Sequence, residues 1–423
     1  MSAWQPMCSR VLDANPIADA IALDLDYRND RYRALDSGVL VEKPWSDIVN
    51  NYSAPAGRTY FDSSGVLQTA GANEMIRAFD PVTGEVVGNQ VWNAYTCLNH
   101  YSFDPTNSAW LVSGATRTPY GGKVGQFTPV YVESTGGTWN RLLATFLSGN
   151  DSYTVRCIYS SGSSGRFRLT CRDTSNSLET QLAGTVNGVK STITTAAGTV
   201  TVKSDKQLLS GLREIIITFV PVNPGTGVSF GFGPDSVVVG ESLLLYGACV
   251  YAGTEEKPLV NTLNSSVLVA GESQVINAES FLNFYNEEEG TIFCLSSGHN
   301  NTGYIAQADA GSGNDRRLIR MDGGSGARGF SIASSITQSA AAGVPWIAGV
   351  KKPVVMAYRS GATNYIAADG QTASFPDNSP PGIYRMWLGT GGISSTLYLN
   401  GYIERLVYFN RALPPSILQR LTA

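Results

Sequence analysis

The sequence predicts an all-β protein, with an N-terminal arm followed by two β-sandwich domains. Three observations carry this. First, only 15% of the 423 residues are charged, against 45 glycines and 10% aromatics. That composition suits many short strands joined by tight turns and does not suit helical bundles, which need Ala, Glu and Lys. Second, short apolar or alternating runs recur along the chain with Gly/Ser/Asn/Asp clusters between them. Third, residues 397–421 read as a strand, a tight turn, a second strand and a closing helix.

In that closing segment Asn400-Gly401 suits a two-residue hairpin turn, because both positions tolerate positive φ. Tyr402 to Phe409 run almost without polar relief, as a strand buried on both faces does; Glu404-Arg405 inside it reads as an edge-facing ion pair. Pro414-Pro415 suit a helix start, where no backbone N–H is needed. Ile417, Leu418 and Leu421 follow at helical spacing and can fold back on the sandwich.

From the N-terminus, residues 1–57 read as an arm or attachment segment. Ile21 to Tyr27 alternate apolar and acidic residues, as a strand with one exposed face does. Docking on a larger assembly and packing onto the next domain are both open for this arm, and compatible. Residues 58–92 form a turn-rich β connector, with turn signals at Asp62-Ser63-Ser64-Gly65 and at Asp80 to Gly84. Residues 93–262 read as a jelly-roll sandwich, with strands expected at Asn140 to Leu147, Tyr153 to Ser160, Arg166 to Cys171, Thr199 to Val202, Glu214 to Val220, Val228 to Phe232 and Leu243 to Tyr251. Residues 263–278 read as a linker. Residues 279–423 form the second sandwich, with strands at Gly303 to Gln307, Arg317 to Met321, Gly329 to Ile332, Lys352 to Tyr358, Asn364 to Ala368 and Ile383 to Leu388.

Three regions of this order resemble a known family. The string FDSSGVLQTA (61–70) with DPVTGE (80–85) resembles a segment of bacteriophage structural proteins. In place of that family's acidic ending stand Gly88-Asn89-Gln90-Val91-Trp92. Asp104, Ala109, Trp110, Ser113 and Gly114 resemble the start of carbohydrate-binding-module-like jelly rolls in such proteins. LLLYGA (243–248) resembles the close of those domains, with Tyr246 where Trp is usual. Phe284-Tyr285-Asn286, Glu289 to Phe293 and the closing LNG hairpin resemble a C-terminal concanavalin A-like (laminin-G-like) domain of phage tail proteins.

Composition limits the chemistry. The net charge of −4 and the lack of a long basic run argue against nucleic-acid binding. No apolar stretch reaches the length of a transmembrane helix, and the N-terminus lacks the features of a signal peptide, so no membrane insertion is expected. Six cysteines occur without a CxxC pair, and no zinc site is expected. Cys157 and Cys171 lie on successive predicted strands and could be cross-strand neighbours; buried free thiols are the better reading.

Two histidines, His100 and His299, sit in no triad signature. Glu287-Glu288-Glu289 reads as a solvated turn rather than a glycosidase pair. Asp309, Asp315 and Asp322 flank a loop without EF-hand spacing, with Arg316, Arg317 and Arg320 competing for their carboxylates. No catalytic residue, metal or cofactor is therefore expected.

Sugar rings present apolar C–H faces that stack on aromatics, while Asn, Asp and Gln bond their hydroxyls. The candidates for such contact are Tyr304, Asn364, Tyr365 and Trp387 in the second sandwich, with Tyr101 and Trp139 in the first. Trp110 and Trp387 lie inside hydrophobic patterns, which favours core. The resemblance implies a non-enzymatic virion protein, assembled in the host cytoplasm, that attaches to a host-surface glycan or receptor. It implies a homo-oligomer, with a trimer expected, joined to other virion proteins through the N-terminal arm. A purely structural head-fibre, decoration or baseplate protein is the alternative, and a polysaccharide depolymerase is the second.

Overall fold

The computed structural model describes residues 17–146, 149–173, 178–223, 227–300, 302–392 and 394–423. Cys8, the first sixteen residues of the expected arm and the end of the expected strand at Leu147 lie outside the described residues. The architecture is all-β, built from antiparallel pairs.

Among the described residues, the first sandwich is two six-stranded sheets. One runs Trp110–Ser113, Arg141–Phe146, Val228–Pro234, Arg166–Asp173, Leu178–Thr185, Lys190–Thr195. The other runs Ala115–Pro119, Val130–Ser134, Ser242–Ala252, Tyr153–Ser161, Arg213–Pro221, Gly198–Gln207. Alternation places Trp110, Leu142, Phe167, Leu169, Phe230 and Phe232 inside, facing Val155, Ile215, Ile217 and Leu245 across a common core. Cys157 and Cys171 belong to opposite sheets. The first pairs with Ile215 and Ala248, the second with Thr180 and Phe230, so they are not cross-strand neighbours. Both are free thiols, as are Cys97, Cys249 and Cys294.

The second sandwich faces, among the described residues, a ten-stranded sheet against a seven-stranded one. Gly401–Phe409 is central in the larger sheet, between Ile21–Asp26 and Glu289–Gly298, and is buried on both faces as its sequence predicts. Glu404 and Arg405 are therefore not at an edge: Glu404 is paired with Lys351 and Arg405 with Asp24. The Asn400-Gly401 turn is not a hairpin either. Asn400 does hold positive φ (46°), but Ser394–Tyr398 pairs with Thr390–Gly391 while Gly401–Phe409 enters a different sheet. Its backbone carbonyl accepts from His299 N–H (2.8 Å) and its side chain accepts from Asn93 N–H (2.7 Å). The segment crosses from one sheet to another.

Residues of the expected arm are built into this same sheet. Ile21–Asp26 pairs with Gly401–Phe409, then Arg31–Asp36 and Val39–Glu42 extend the edge. All six residues of the first strand are buried, so its alternating acids are not a solvent face. Asp24 is instead held by Arg33 (2.6 Å) and Arg405 (2.9 Å). The helix Pro415–Thr422 closes the outer face of the sheet. It places Leu418 and Leu421 against Phe293, Val355, Ala367 and Phe409.

The segment expected as a connector forms two hairpins at the anticipated turns, Thr59–Phe61 with Leu67–Thr69 and Arg77–Phe79 with Val86–Val91. Asp62 and Asp80 each accept backbone N–H groups of their own turns. Val86–Val91 then pairs with the start of Gly401–Phe409. The segment also covers Ile158, Leu244, Tyr246 and Tyr251 on the outer face of the first sandwich. The segment expected as a linker is likewise woven in. Val267–Val269 pairs with Tyr95–Cys97, and Ser273–Ile276 with Arg385–Leu388 and Asn51–Ser53.

Candidate functional site

The strand Val228–Pro234 has the sequence VSFGFGP. Its pleat sends Val228, Phe230 and Phe232 into the core and leaves Ser229, Gly231 and Gly233 on the outer face. Its neighbours carry larger side chains there. Leu143 and Thr170 stand either side of Gly231, Thr145 and Arg172 either side of Ser229, and Arg168 beside Gly233. The outer face is thus low along its middle strand and tall on both flanks. Gly231 is required for it: a Cβ would lie 2.4 Å from Thr170 Oγ1 and 2.7 Å from Leu143 Cδ2.

Two arginines bridge this face. Arg141 reaches across to Glu179, with Nη1–Oε2 at 3.1 Å and Nη2–Oε1 at 2.5 Å. Arg168 bonds Asp235 through Nε at 3.0 Å. Burial would raise the Asp235 carboxyl, but Arg166 and Arg168 outweigh it and hold it below the usual carboxylate range. Beneath the arginines, Thr170 Oγ1, Arg141 Nε and Arg172 Nε are buried without a hydrogen-bond partner among the described residues.

Trp139 stands at the rim. Its ring lies 4.7 Å from the Arg141 guanidinium carbon and 5.8 Å from that of Arg168. It remains 40% exposed, which leaves ring surface open to a ligand. The loop that presents it is tied down. Asn140 accepts from Thr135 N–H (3.1 Å) and donates to Gly137 O (2.6 Å) and Ser236 O (2.7 Å). Gly114, at φ +64°, fits beneath this loop where a Cβ would lie 1.8 Å from the Trp139 carbonyl oxygen. The face thus sets an exposed indole against two guanidiniums, with the Glu179 and Asp235 carboxylates paired to them.

The other expected contact residues lie elsewhere, and the structure does not bring them together. Asn364 is fully buried; it accepts from Arg359 N–H (3.0 Å) and donates to Asp377 (2.8 Å), which leaves it no face for a ligand. Tyr304 is 5% exposed and packs with Leu318 and Ile332, with the Arg316 guanidinium near its ring. Tyr365 is half-buried against the C-terminal helix cluster. Trp387 is half-buried, with the Arg385 guanidinium 5.0 Å from its ring, and its Nε1–H is buried without a partner among the described residues. Tyr101 is half-buried at the first core, where its carbonyl accepts the buried Trp110 indole N–H (2.9 Å). Among the six, Trp139 alone is classed with the exposed large hydrophobics.

Arg141, Arg168 and Glu179 are absent from the expected set. The alternation of VSFGFGP does signal a face of small residues, but which strands flank it is not local information.

Elsewhere, Asp309 is committed to Arg385 (2.7 Å), Asp322 to Arg328 (2.8 Å) and Asp315 to Ser334 N–H (2.9 Å). Among the described residues neither Asp309 nor Asp322 forms an ion pair with the adjacent Arg316, Arg317 or Arg320; burial would raise the Asp322 carboxyl, but Arg328 outweighs it and Arg320 adds to the lowering. Among the described residues no group of three or more His, Cys, Asp or Glu could hold a metal. His100 is exposed and His299 stacks on Trp92.

Fold and face together define an all-β protein of paired sandwiches. No protein-family model matches the chain, and no curated protein does. Solved structures show a distant likeness. Domains LG4-5 of the mouse laminin α1 chain share 11% identity over 72% of this chain and 96% of that one, at a TM-score of 0.25. A Trypanosoma rangeli sialidase shares 12% over 70% of this chain and 62% of that one, at 0.27. The LG1-3 region of the laminin α2 chain shares 11% over 67% of this chain and 62% of that one, at 0.22. The architectural assignment rests on the strand registers described above.

Proposed function

We propose that this chain is a non-enzymatic glycan-binding protein that serves as a bacteriophage virion appendage and attaches the particle to a host surface. The observation that carries the glycan reading is Trp139, an exposed indole braced by Arg141 and Arg168 at the rim of the outer sheet face. A sugar's C–H face stacks on such a ring, and its hydroxyls reach the flanking guanidinium and carboxylate groups. Association with a virion is supported by the ordered sequence resemblance. Contact with other virion proteins would run through the N-terminal segment, whose edge strand Val39–Glu42 leaves Val39 62% exposed. Several copies on one particle, a trimer above all, turn weak single-site affinity into firm attachment.

The test is binding of the purified full chain to an array of bacterial surface glycans, with release of reducing ends assayed in parallel. Retention without turnover is expected. Turnover would overturn the non-enzymatic reading, and failure to retain any glycan or host cell would favour a purely structural role.

A further inference from the structure

A cavity lies where the two sandwiches meet. It encloses about 370 Å³ and is lined from both sides. Trp92, His299 and Tyr402 come from strands of the second sandwich or their ends, and Arg156, Lys206 and Glu256 from the first.

The aromatic wall is ordered. His299 stacks on Trp92, with centroids 5.3 Å apart and an interplanar angle of 29°. Tyr402 meets both rings edge-on, at 6.4 Å from Trp92 and 6.3 Å from His299. Burial pushes the His299 imidazole down to about 4, so it is a neutral ring at neutral pH. The Trp92 side chain is 3% exposed, and its Nε1–H is buried without a hydrogen-bond partner among the described residues.

The opposite wall is charged: Arg156, Lys206 and Lys351 are each paired with a carboxylate, and Lys257 follows Glu256 in the chain. Arg156 Nε donates to the fully buried Glu214 at 2.9 Å, and Lys206 Nζ forms an ion pair with it at 3.4 Å. An anionic ligand would compete with Glu214 for them and would also meet Glu256. A neutral ligand with many hydroxyls suffers neither penalty: it can donate to Glu256 and lay an apolar face on the aromatic wall. The volume falls at the small end of ligand pockets, roughly 300–1,000 Å³, which suits one or two sugar rings rather than a chain.

We infer that this junction cavity is a second binding site, separate from the Trp139 face, that takes a neutral mono- or disaccharide between the Trp92–His299–Tyr402 wall and Glu256. The experiment is ¹⁹F NMR of the full chain carrying 5-fluorotryptophan at its seven tryptophans. Signals are assigned with Trp92→Phe and Trp139→Phe. Lactose, N,N′-diacetylchitobiose and glucuronate are the probes.

A neutral disaccharide should shift the Trp92 signal saturably in the millimolar range, and Glu256→Ala should weaken that binding about tenfold or more. A Trp92 signal unmoved by either disaccharide up to roughly 50 mM overturns the inference. So does tighter binding of glucuronate, or an affinity unchanged in Glu256→Ala. A Trp139 signal unmoved by every glycan bears on the sheet face and leaves the junction site standing.

Discussion

Asp24 and Arg405 stand 381 positions apart in sequence and are joined by two hydrogen bonds, Nε to Oδ1 at 2.9 Å and Nη2 to Oδ2 at 3.1 Å. The pair ties the first strand of the larger sheet to its central strand. Burial would raise the Asp24 carboxyl, but Arg405 and then Arg33 outweigh it and hold it below the usual range. Asp24→Ala should destabilise the protein by about 3–5 kcal/mol in urea unfolding, because it removes a buried carboxylate that the Arg405 and Arg33 guanidiniums share. A folded-state value depressed below about 3.9 contributes stability that is present above that pH and lost as pH falls through the depressed value. Acid unfolding followed to about pH 2 should show this limb in the wild type and lack it in Asp24→Ala.

Glu272 behaves in the opposite sense. Burial raises its carboxyl to about 7, despite Arg58 at 3.1 Å. The unfolded chain releases this proton near pH 4.3, whereas the folded chain keeps it until about 7. The contribution is therefore full below about pH 4.3, declines as pH rises and is lost above the folded value. Melting curves between pH 5 and pH 8 should show wild type losing stability relative to Glu272→Gln by at most ~1.4 kcal/mol per pH unit. A constant difference between the two proteins would contradict this.

The closing helix is a lid on apolar sheet surface. Leu418 is fully buried against residues including Val355 and Phe409. Leu418→Ala should cost about 2–5 kcal/mol by fluorescence-monitored unfolding, through lost burial and the cavity left behind. Ile417→Ala should cost less, since Ile417 is only partly buried; a cost equal to that of Leu418 would contradict the lid geometry.

Trp139→Ala should weaken binding of any glycan retained by the full chain at least about tenfold, or ~1.4 kcal/mol. Its melting temperature should stay within a few degrees of wild type, roughly the spread of a surface substitution. Titration calorimetry against the retained glycan measures the first, and calorimetric melting the second. Unchanged affinity would remove the Trp139 face from the proposed function.

Much of the fold was legible because burial leaves a periodic trace. Tyr402 to Phe409 reads as a strand covered on both faces, and Pro414-Pro415 with Leu418 and Leu421 reads as a helix folded back on the sheet. The Asp62 and Asp80 turns were legible for another local reason, the bonding of each carboxylate to its own turn. The strands Ile336–Ala342 and Gln371–Pro376 carry no such trace: ITQSAAA and QTASFP lack strong alternation and owe their state to a neighbouring strand.

Local residue chemistry was thus enough for the all-β class, for the Asp62 and Asp80 turns, and for the burial of Tyr402 to Phe409. It could not choose partners. Asn400 adopts the positive φ its chemistry permits, yet the strands flanking it enter different sheets, because register is set by nonlocal pairing. Alternating acids in Ile21–Asp26 read as a wet face until Arg33 and Arg405, supplied by neighbouring strands, make them a buried ion-paired one. The same holds for the site. Six polar and aromatic side chains are candidates in one dimension, Trp387 with a pattern that favours core, and folding consumed the amide of Asn364 while leaving the ring of Trp139 in solvent. Exposure is a property of the assembled surface, and only packing assigns it.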